Sequence, residues 1–177
     1  DYQAGNMTPL FFRSPLHCAS VSGDGFLYAC DRGNNRVQIF DLGAEDLGRP
    51  CANPNAESQV CGFVDEVHVA PQTASGTAGT AALSTDPGQT CVYVGDLANG
   101  TLYAIDRENL TELDRIGRPG RQAGEFHWLH ALAVDSQGNV YTGEVDSGQR
   151  IQKFLRYGSE SCSGTGSSEV GLYNTNR

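Results

Sequence analysis

The sequence predicts an all-β chain assembled from blades of a β-propeller. Three observations predict it: an internal repeat, the division of that repeat into short apolar runs parted by turns, and a composition suited to both. Residues 16–40, LHCASVSGDGFLYACDRGNNRVQIF, recur in register as residues 129–154, LHALAVDSQGNVYTGEVDSGQRIQKF. His17 to Tyr28 and His130 to Tyr141 are both eleven positions, and three more lead from each tyrosine to an acid, Asp31 or Glu144. One residue is then inserted before Arg150, after which 36–40 and 150–154 both read Arg, β-branched, Gln, any residue, Phe. Short apolar runs separated by Gly, Asp, Asn and Ser describe a β-meander. A unit of this size cannot cover its own faces and has to stack on neighbours. The 177 residues, 38% apolar with 22 Gly and one Met, suit a turn-rich all-β protein.

Taken in order, residues 1–16 form a loop that enters the first blade, with Leu10, Phe11 and Phe12 expected to pack under a neighbour. The first blade, 17–62, has strands at 17–21, 26–30 and 36–41, and no readable fourth strand in the Gly-, Pro- and Asn-rich remainder. The second, divergent blade, 63–116, opens with a strand at 65–70 and is interrupted by residues 71–90, PQTASGTAGTAALSTDPGQT, which read as a low-complexity loop insertion. Its later strands are 91–95, 101–105 and 112–116. The third blade, 117–156, has a lead-in loop and strands at 131–134, 139–143 and 150–155. The Gly/Ser-rich tail, 157–177, has a strand signal only at 170–173 and reads as a closing segment or an arm to a partner.

Closed propellers need about 4–8 blades of roughly 40–50 residues. About three are present, so the ring is incomplete, in size half of a six-bladed one. Asp1 is not an initiator methionine. The expectation is that the chain is a fragment of a longer one; the alternative is that several chains complete a ring together.

Composition narrows the partners. The net charge is −9 with no basic cluster, whereas a nucleic-acid surface carries a basic stripe. No run approaches the ~18 apolar residues of a membrane span. Six Cys and the sequons Asn6-Met7-Thr8, Asn99-Gly100-Thr101 and Asn109-Leu110-Thr111 point to an extracellular or periplasmic, disulfide-bearing protein, a glycoprotein if the sequons are used. Cys51 and Cys61 bracket a polar loop and suit a bridge, whereas Cys18, Cys30 and Cys91 fall within strands and read equally as buried, unpaired thiols.

Function is argued from strand ends. The innermost strand of a blade lines the channel, and the turn between second and third strands returns to the same end. His17, Asp65 and His130 are assigned the starting position of three inner strands, with Asp31-Arg32, Asp96 and Glu144 at the returning turns, so these side chains are expected to converge at the channel mouth. Two imidazoles with a carboxylate suit Zn²⁺, which takes His nitrogens at ~2.0–2.1 Å and needs at least a third ligand. The alternative is that both histidines bond a neighbouring blade and line a water-filled channel. His127 and His68 are weaker ligand candidates.

The string GFLYACDRGNNRVQIF, residues 25–40, resembles an NHL repeat, residues 138–141 with 150–154 resemble a second copy, and 91–96 with 101–105 a third. The order of parts also resembles the C-terminal half of the peptidyl-α-hydroxyglycine α-amidating lyase propellers. That resemblance implies that His17 and His130 fall on two zinc-ligand positions and Arg32 on the Arg of the Asp-Arg-x-Asn turn, near the substrate. The family's third His and its Tyr would lie upstream of Asp1, and Ala131 stands where the pattern tends to have Asp, so the implied lyase is incomplete here. The expected function is therefore a secreted NHL-type segment acting as a protein- or ligand-binding and assembly module, joined by other chains or by the rest of its own, with a small ligand at the channel mouth. The zinc-dependent lyase is the alternative. A calcium-assisted lactonase-like hydrolase ranks last, because it needs several convergent carboxylates and only Asp65 and the turn acids are available.

Overall fold

The computed structural model describes residues 12–43, 62–157 and 171–174, and in them the chain is a succession of antiparallel four-stranded sheets. The first sheet comprises β1 (Leu16–Val21), β2 (Phe26–Asp31), β3 (Arg36–Asp41) and β4 (Gly62–His68), in that order. The second comprises β5 (Ala78–Leu83), β6 (Cys91–Asp96), β7 (Thr101–Asp106) and β8 (Glu112–Ile116). The third comprises β9 (Leu129–Val134), β10 (Val140–Glu144), β11 (Arg150–Tyr157) and β12 (Gly171–Asn174). The inner strands lie side by side, β5 touching both β1 and β9.

Two strands differ from the sequence expectation. Residues around Asp65 do not open the second blade: β4 pairs with β3 from Arg36↔His68 to Asp41↔Gly62, so it is the missing outer strand of the first sheet. The inner strand of the second sheet is β5, AGTAAL, inside the stretch expected to be a loop. Its side chains are small because β5 is crowded on both sides, between β1 and β9. A Cβ on Gly79 would stand 2.9 Å from Leu97 Cβ, and one on Gly95, across from Thr80, would stand 2.7 Å from Thr80 Cγ2. Crowding, not low complexity, selects the residues.

The repeat fixes which face of each sheet meets its neighbour, since side chains alternate along a strand. Tyr28, Cys30, Val37 and Ile39 of the first sheet pack on Val92, Val94, Tyr103 and Ile105 of the second. The other face of the second sheet, with Cys91, Tyr93, Leu102 and Ala104, packs on Leu129, Val140 and Phe154 of the third. Among the described residues, only the second sheet is covered on both faces. Val37, Leu102 and Ile151 hold the same repeat position, and their exposures are 0%, 1% and 71%. At the other end, Phe63 is 55% exposed beside Phe40, with Phe12 laid against the same ring at 6.0 Å.

Polar clasps reinforce the apolar contacts between sheets. Arg107, just after β7, donates to Tyr28 Oη at 2.7 Å and Ser22 Oγ at 3.2 Å, pairs with Asp24, and lies 5.8 Å from the ring centroids of Phe26 and Tyr28. Ser20 Oγ donates to the Ala81 carbonyl at 2.8 Å, and Thr85 Oγ1 to that of Asp135 at 2.7 Å. Within the first sheet Cys18 and Cys30 are not unpaired thiols: they face each other in register, Cα atoms 4.8 Å apart, and are disulfide-bonded. Closing a loop of that length contributes roughly 3 kcal/mol by the chain-entropy account. Cys91 is disulfide-bonded as well. The expected Cys51–Cys61 bridge, and Leu10 and Phe11, lie outside the described residues.

The β9–β10 turn is organised by one carboxylate. Asp135 accepts hydrogen bonds from the backbone of Gln137 and Asn139, the Asn139 amide and Tyr141 Oη, all at 2.9–3.1 Å. These bonds, led by that of the Asn139 side chain, hold its pKa down to about 2 from the usual 3.8. Because the folded value is depressed, this contribution is present above about pH 4 and is lost as pH falls towards 2. Urea unfolding across this range is predicted to show an acid limb that Asp135→Asn flattens, with lower stability at pH 7.

Candidate functional site

Each inner strand carries a β-bulge at its second residue. The pairing jumps from Leu16 to Cys18 and from Ala78 to Thr80, and in the third sheet Gly143 and Glu144 face Ala131 and Leu129. The residues skipped are His17, Gly79 and His130. A bulge breaks strict alternation and re-aims its residue, and here it brings two blades' histidines together over the glycine of the blade between them. The rings of His17 and His130 stand edge to face with centroids 4.6 Å apart.

The protonation of His17 follows from its partner. Its Nδ1 bonds the Gly79 carbonyl, and a carbonyl oxygen only accepts, so Nδ1 carries the hydrogen and Nε2 keeps a lone pair when the ring is neutral. Burial pushes the pKa of His17 down, the Gly79 carbonyl opposes this, and His130 and Arg32 nearby push it further down. The neutral form of His17 is thereby favoured. A ring nitrogen donating to a carbonyl while the other is free is the arrangement that orients metal-ligating histidines. Two imidazoles on one tetrahedral zinc would place their centroids about 5 Å apart, close to the separation here. The centroid separation alone is compatible with two ligands; among the described residues no group of three or more His, Cys, Asp and Glu could hold a metal.

Asp65 is not part of this arrangement. It lies on β4, the outermost strand of its sheet, three strands from β1 and so roughly 14 Å away across the ladder. It lines a different cavity, of about 370 Å³, together with Phe26, Tyr28, Arg107 and Leu110. Arg32 does lie near the histidines, within electrostatic reach of His17. It donates to the Ser75 carbonyl at 3.3 Å, its Nε is buried without a hydrogen-bond partner among the described residues, and it borders a second cavity of about 280 Å³ with Leu97, Phe126, His127 and Trp128.

The turn acids are engaged locally and not at the mouth: Asp31 and Asp96 each close their own turn, and Glu144 ties β11 to the loop before β9. Asp31, fully buried, accepts from Asn34 Nδ2 at 2.7 Å and Arg36 Nε at 2.8 Å. Asp96, also fully buried, accepts from the backbone of Ala98 and Asn99 and from Asn99 Nδ2 at 2.8 Å; Thr101 stands where the other sheets have Arg, and burial raises its pKa. Glu144 accepts from Arg150 Nε at 2.6 Å, Gln152 Nε2 at 2.8 Å and the His127 backbone at 2.7 Å. His68 bonds Glu66 on the outer strand. His127 Nε2 has Ser147 Oγ at 3.1 Å and Asp146 Oδ2 at 3.4 Å on the same nitrogen, so the acid cannot orient the ring towards the hydroxyl as a relay requires.

Solved structures share this arrangement of sheets. Over 99% of this chain and 44% of its own, the periplasmic gluconolactonase of Pseudomonas aeruginosa is similar, with a TM-score of 0.59 and 18% identity. A 6-phosphogluconolactonase-like protein of Bacteroides uniformis covers 91% of this chain and 40% of its own, with a TM-score of 0.58 and 11% identity. The fold is a β-propeller. Hydrazine synthase of Kuenenia stuttgartiensis is similar over 88% of this chain and 36% of that one, at a TM-score of 0.56 and 16% identity. This propeller chain thus spans less than half the length of these structures, and at such identities the likeness is one of fold alone. It adds nothing specific to the NHL repeat or to the amidating lyases. No protein-family model and no curated protein match the sequence.

Arg36 bridges two carboxylates, Asp31 and Glu66, both at 2.8 Å, with its side chain 2% exposed. Arg36→Met leaves buried Asp31 and partly buried Glu66 without their cation and is predicted to cost about 3–5 kcal/mol in chemical denaturation. Arg150→Met, at the same repeat position but a quarter exposed, is predicted to cost less.

Proposed function

We propose that the chain is a three-bladed portion of a closed propeller in an extracellular or periplasmic compartment, and that it serves as a binding module whose channel mouth takes a small ligand. The observation that carries this is the meeting of His17 and His130, more than a hundred positions apart, with ring centroids 4.6 Å apart. Further blades, from the same chain or from other chains, cover Ile151 at one end and Phe63 at the other, both exposed here. The Cys18–Cys30 bridge supports an oxidising compartment, and one structural neighbour is periplasmic. A net charge of −9 with no basic cluster speaks against nucleic acid, and among the described residues no helix is long and apolar enough to cross a membrane.

A second reading is favoured by the same pair of rings. His17 and His130 supply two of the ligands of a zinc ion and the remaining blades supply the rest; Asp65 has no place in this set. Bound there, zinc would act as a Lewis acid on a carbonyl or hydroxyl oxygen. Arg32 would hold its cation near the charge that develops on that oxygen. His17 keeps its proton on Nδ1 through the Gly79 carbonyl and so presents Nε2. This is the chemistry of a metal-dependent lyase of the amidating type, on an NHL-type scaffold, and on these residues alone it is partial.

Calorimetric titration of the purified protein with zinc separates the readings. Tight binding of about one ion per ring, weakened at least tenfold by His17→Ala and by His130→Ala, supports the metal site. Absence of zinc binding, with ligand or partner binding weakened by the same substitutions, supports the binding module alone. Both readings fail if neither substitution alters any binding.

A further inference from the structure

The sequons differ in what their asparagines already do. Asn109 lies in the turn between β7 and β8, and both it and Thr111 are exposed. Its backbone N–H donates to Asp106 Oδ1 at 3.0 Å, and its own Oδ1 accepts from the Thr111 N–H at 2.9 Å and from the Thr111 hydroxyl. Its Nδ2 donates to no atom among the described residues. Asn99 is the opposite case. Its Nδ2 donates to Asp96 Oδ2 at 2.8 Å and to Thr73 Oγ1 at 2.9 Å, which supports a fully buried carboxylate and ties the β6–β7 turn to the loop before β5. Asn6 lies outside the described residues.

We propose that Asn109 is the acceptor of an N-linked glycan and that Asn99 is not. The proposal rests on the reading that the chain passes through a secretory, oxidising compartment. The donor is an oligosaccharide joined through C1 to a lipid pyrophosphate. In the transfer a bond forms between Nδ2 and C1, the bond from C1 to the pyrophosphate oxygen breaks, the lipid pyrophosphate leaves with the electron pair, and Nδ2 gives up one proton to a carboxylate base of the transferase. At Asn109 that hydrogen is engaged in nothing. At Asn99 it is one of two that hold the turn, and its loss leaves the buried Asp96 with fewer donors. Position also favours Asn109. The β7–β8 turn follows Asp106, which pairs with Cys91 at the end of the sheet opposite Asp96↔Thr101, so a glycan there leaves the His17–His130 mouth open.

The test is expression of the whole chain behind a secretory signal peptide in yeast or mammalian cells. Pooled cell and medium material is treated with peptide N-glycosidase in ¹⁸O-water, which marks each formerly glycosylated asparagine, and analysed by mass spectrometry after trypsin. Cleavage after Arg107 places Asn99 and Asn109 in different peptides. The mark is expected on the Asn109 peptide and absent from that of Asn99. Thr111→Ala should abolish it, and Thr101→Ala should leave it unchanged. An unmarked Asn109, or Asn99 marked as heavily as Asn109, overturns the proposal. A thiol count on the same folded material tests the compartment separately: a reduced Cys18–Cys30 pair contradicts that reading whatever the glycan result.

Discussion

A four-stranded meander has two apolar faces and cannot hide both by itself, and this constraint governs the structure. Among the described residues, only the second sheet has a neighbour on each side. There Val92 and Val94 face one way, Cys91 and Tyr93 the other, and all are buried. Because β5 is flanked by β1 and β9, its sequence contracts to alanine, glycine and threonine, and the backbone approaches closely enough for the Gly79 carbonyl to meet an imidazole from the next blade. The same constraint leaves the outer sheets half finished. Ile151 stands in solvent where Val37 and Leu102, its repeat counterparts, touch none.

The candidate site is a consequence of this stacking. A bulge at the second residue of every inner strand would do little in an isolated sheet. With three inner strands abreast, it turns two side chains of alternate blades onto one spot and puts a residue without a side chain between them. The fold favours neutral His17, and its Nδ1 bond to the Gly79 carbonyl selects the tautomer that leaves the lone pair on Nε2. The carboxylates nearby serve another purpose. Each is buried and bonded locally, Asp31 and Asp96 within their own turns and Glu144 to β11 and the loop before β9.

The repeat made a good part of this legible. β1 to β3 and β9 to β11 stand close to their expected places because His, Tyr, acid and Arg-x-Gln-x-Phe recur at fixed spacing, and the encounter of His17 with His130 was readable from the same alignment. β5 was not, since small residues chosen by crowding look like those of a loop. The place of β4, and of Asp65 on it, is not legible because no copy of the repeat has a readable fourth strand against which to align it. Two of the acids carry a local signal. Asparagine follows Asp31 and Asp96 by three positions in both turns, which marks a carboxylate that closes its own loop. The Cys18–Cys30 bridge depends on register, which composition does not show.

Everything above requires that the outward faces of the first and third sheets be interblade faces. The most direct measurement is multi-angle light scattering of residues 1–177 alone, combined with thermal unfolding and binding of an apolar dye. The account predicts self-association or dye binding, with broad unfolding, all suppressed when further blades are supplied. A monomer that unfolds in one sharp transition and binds no dye would contradict it.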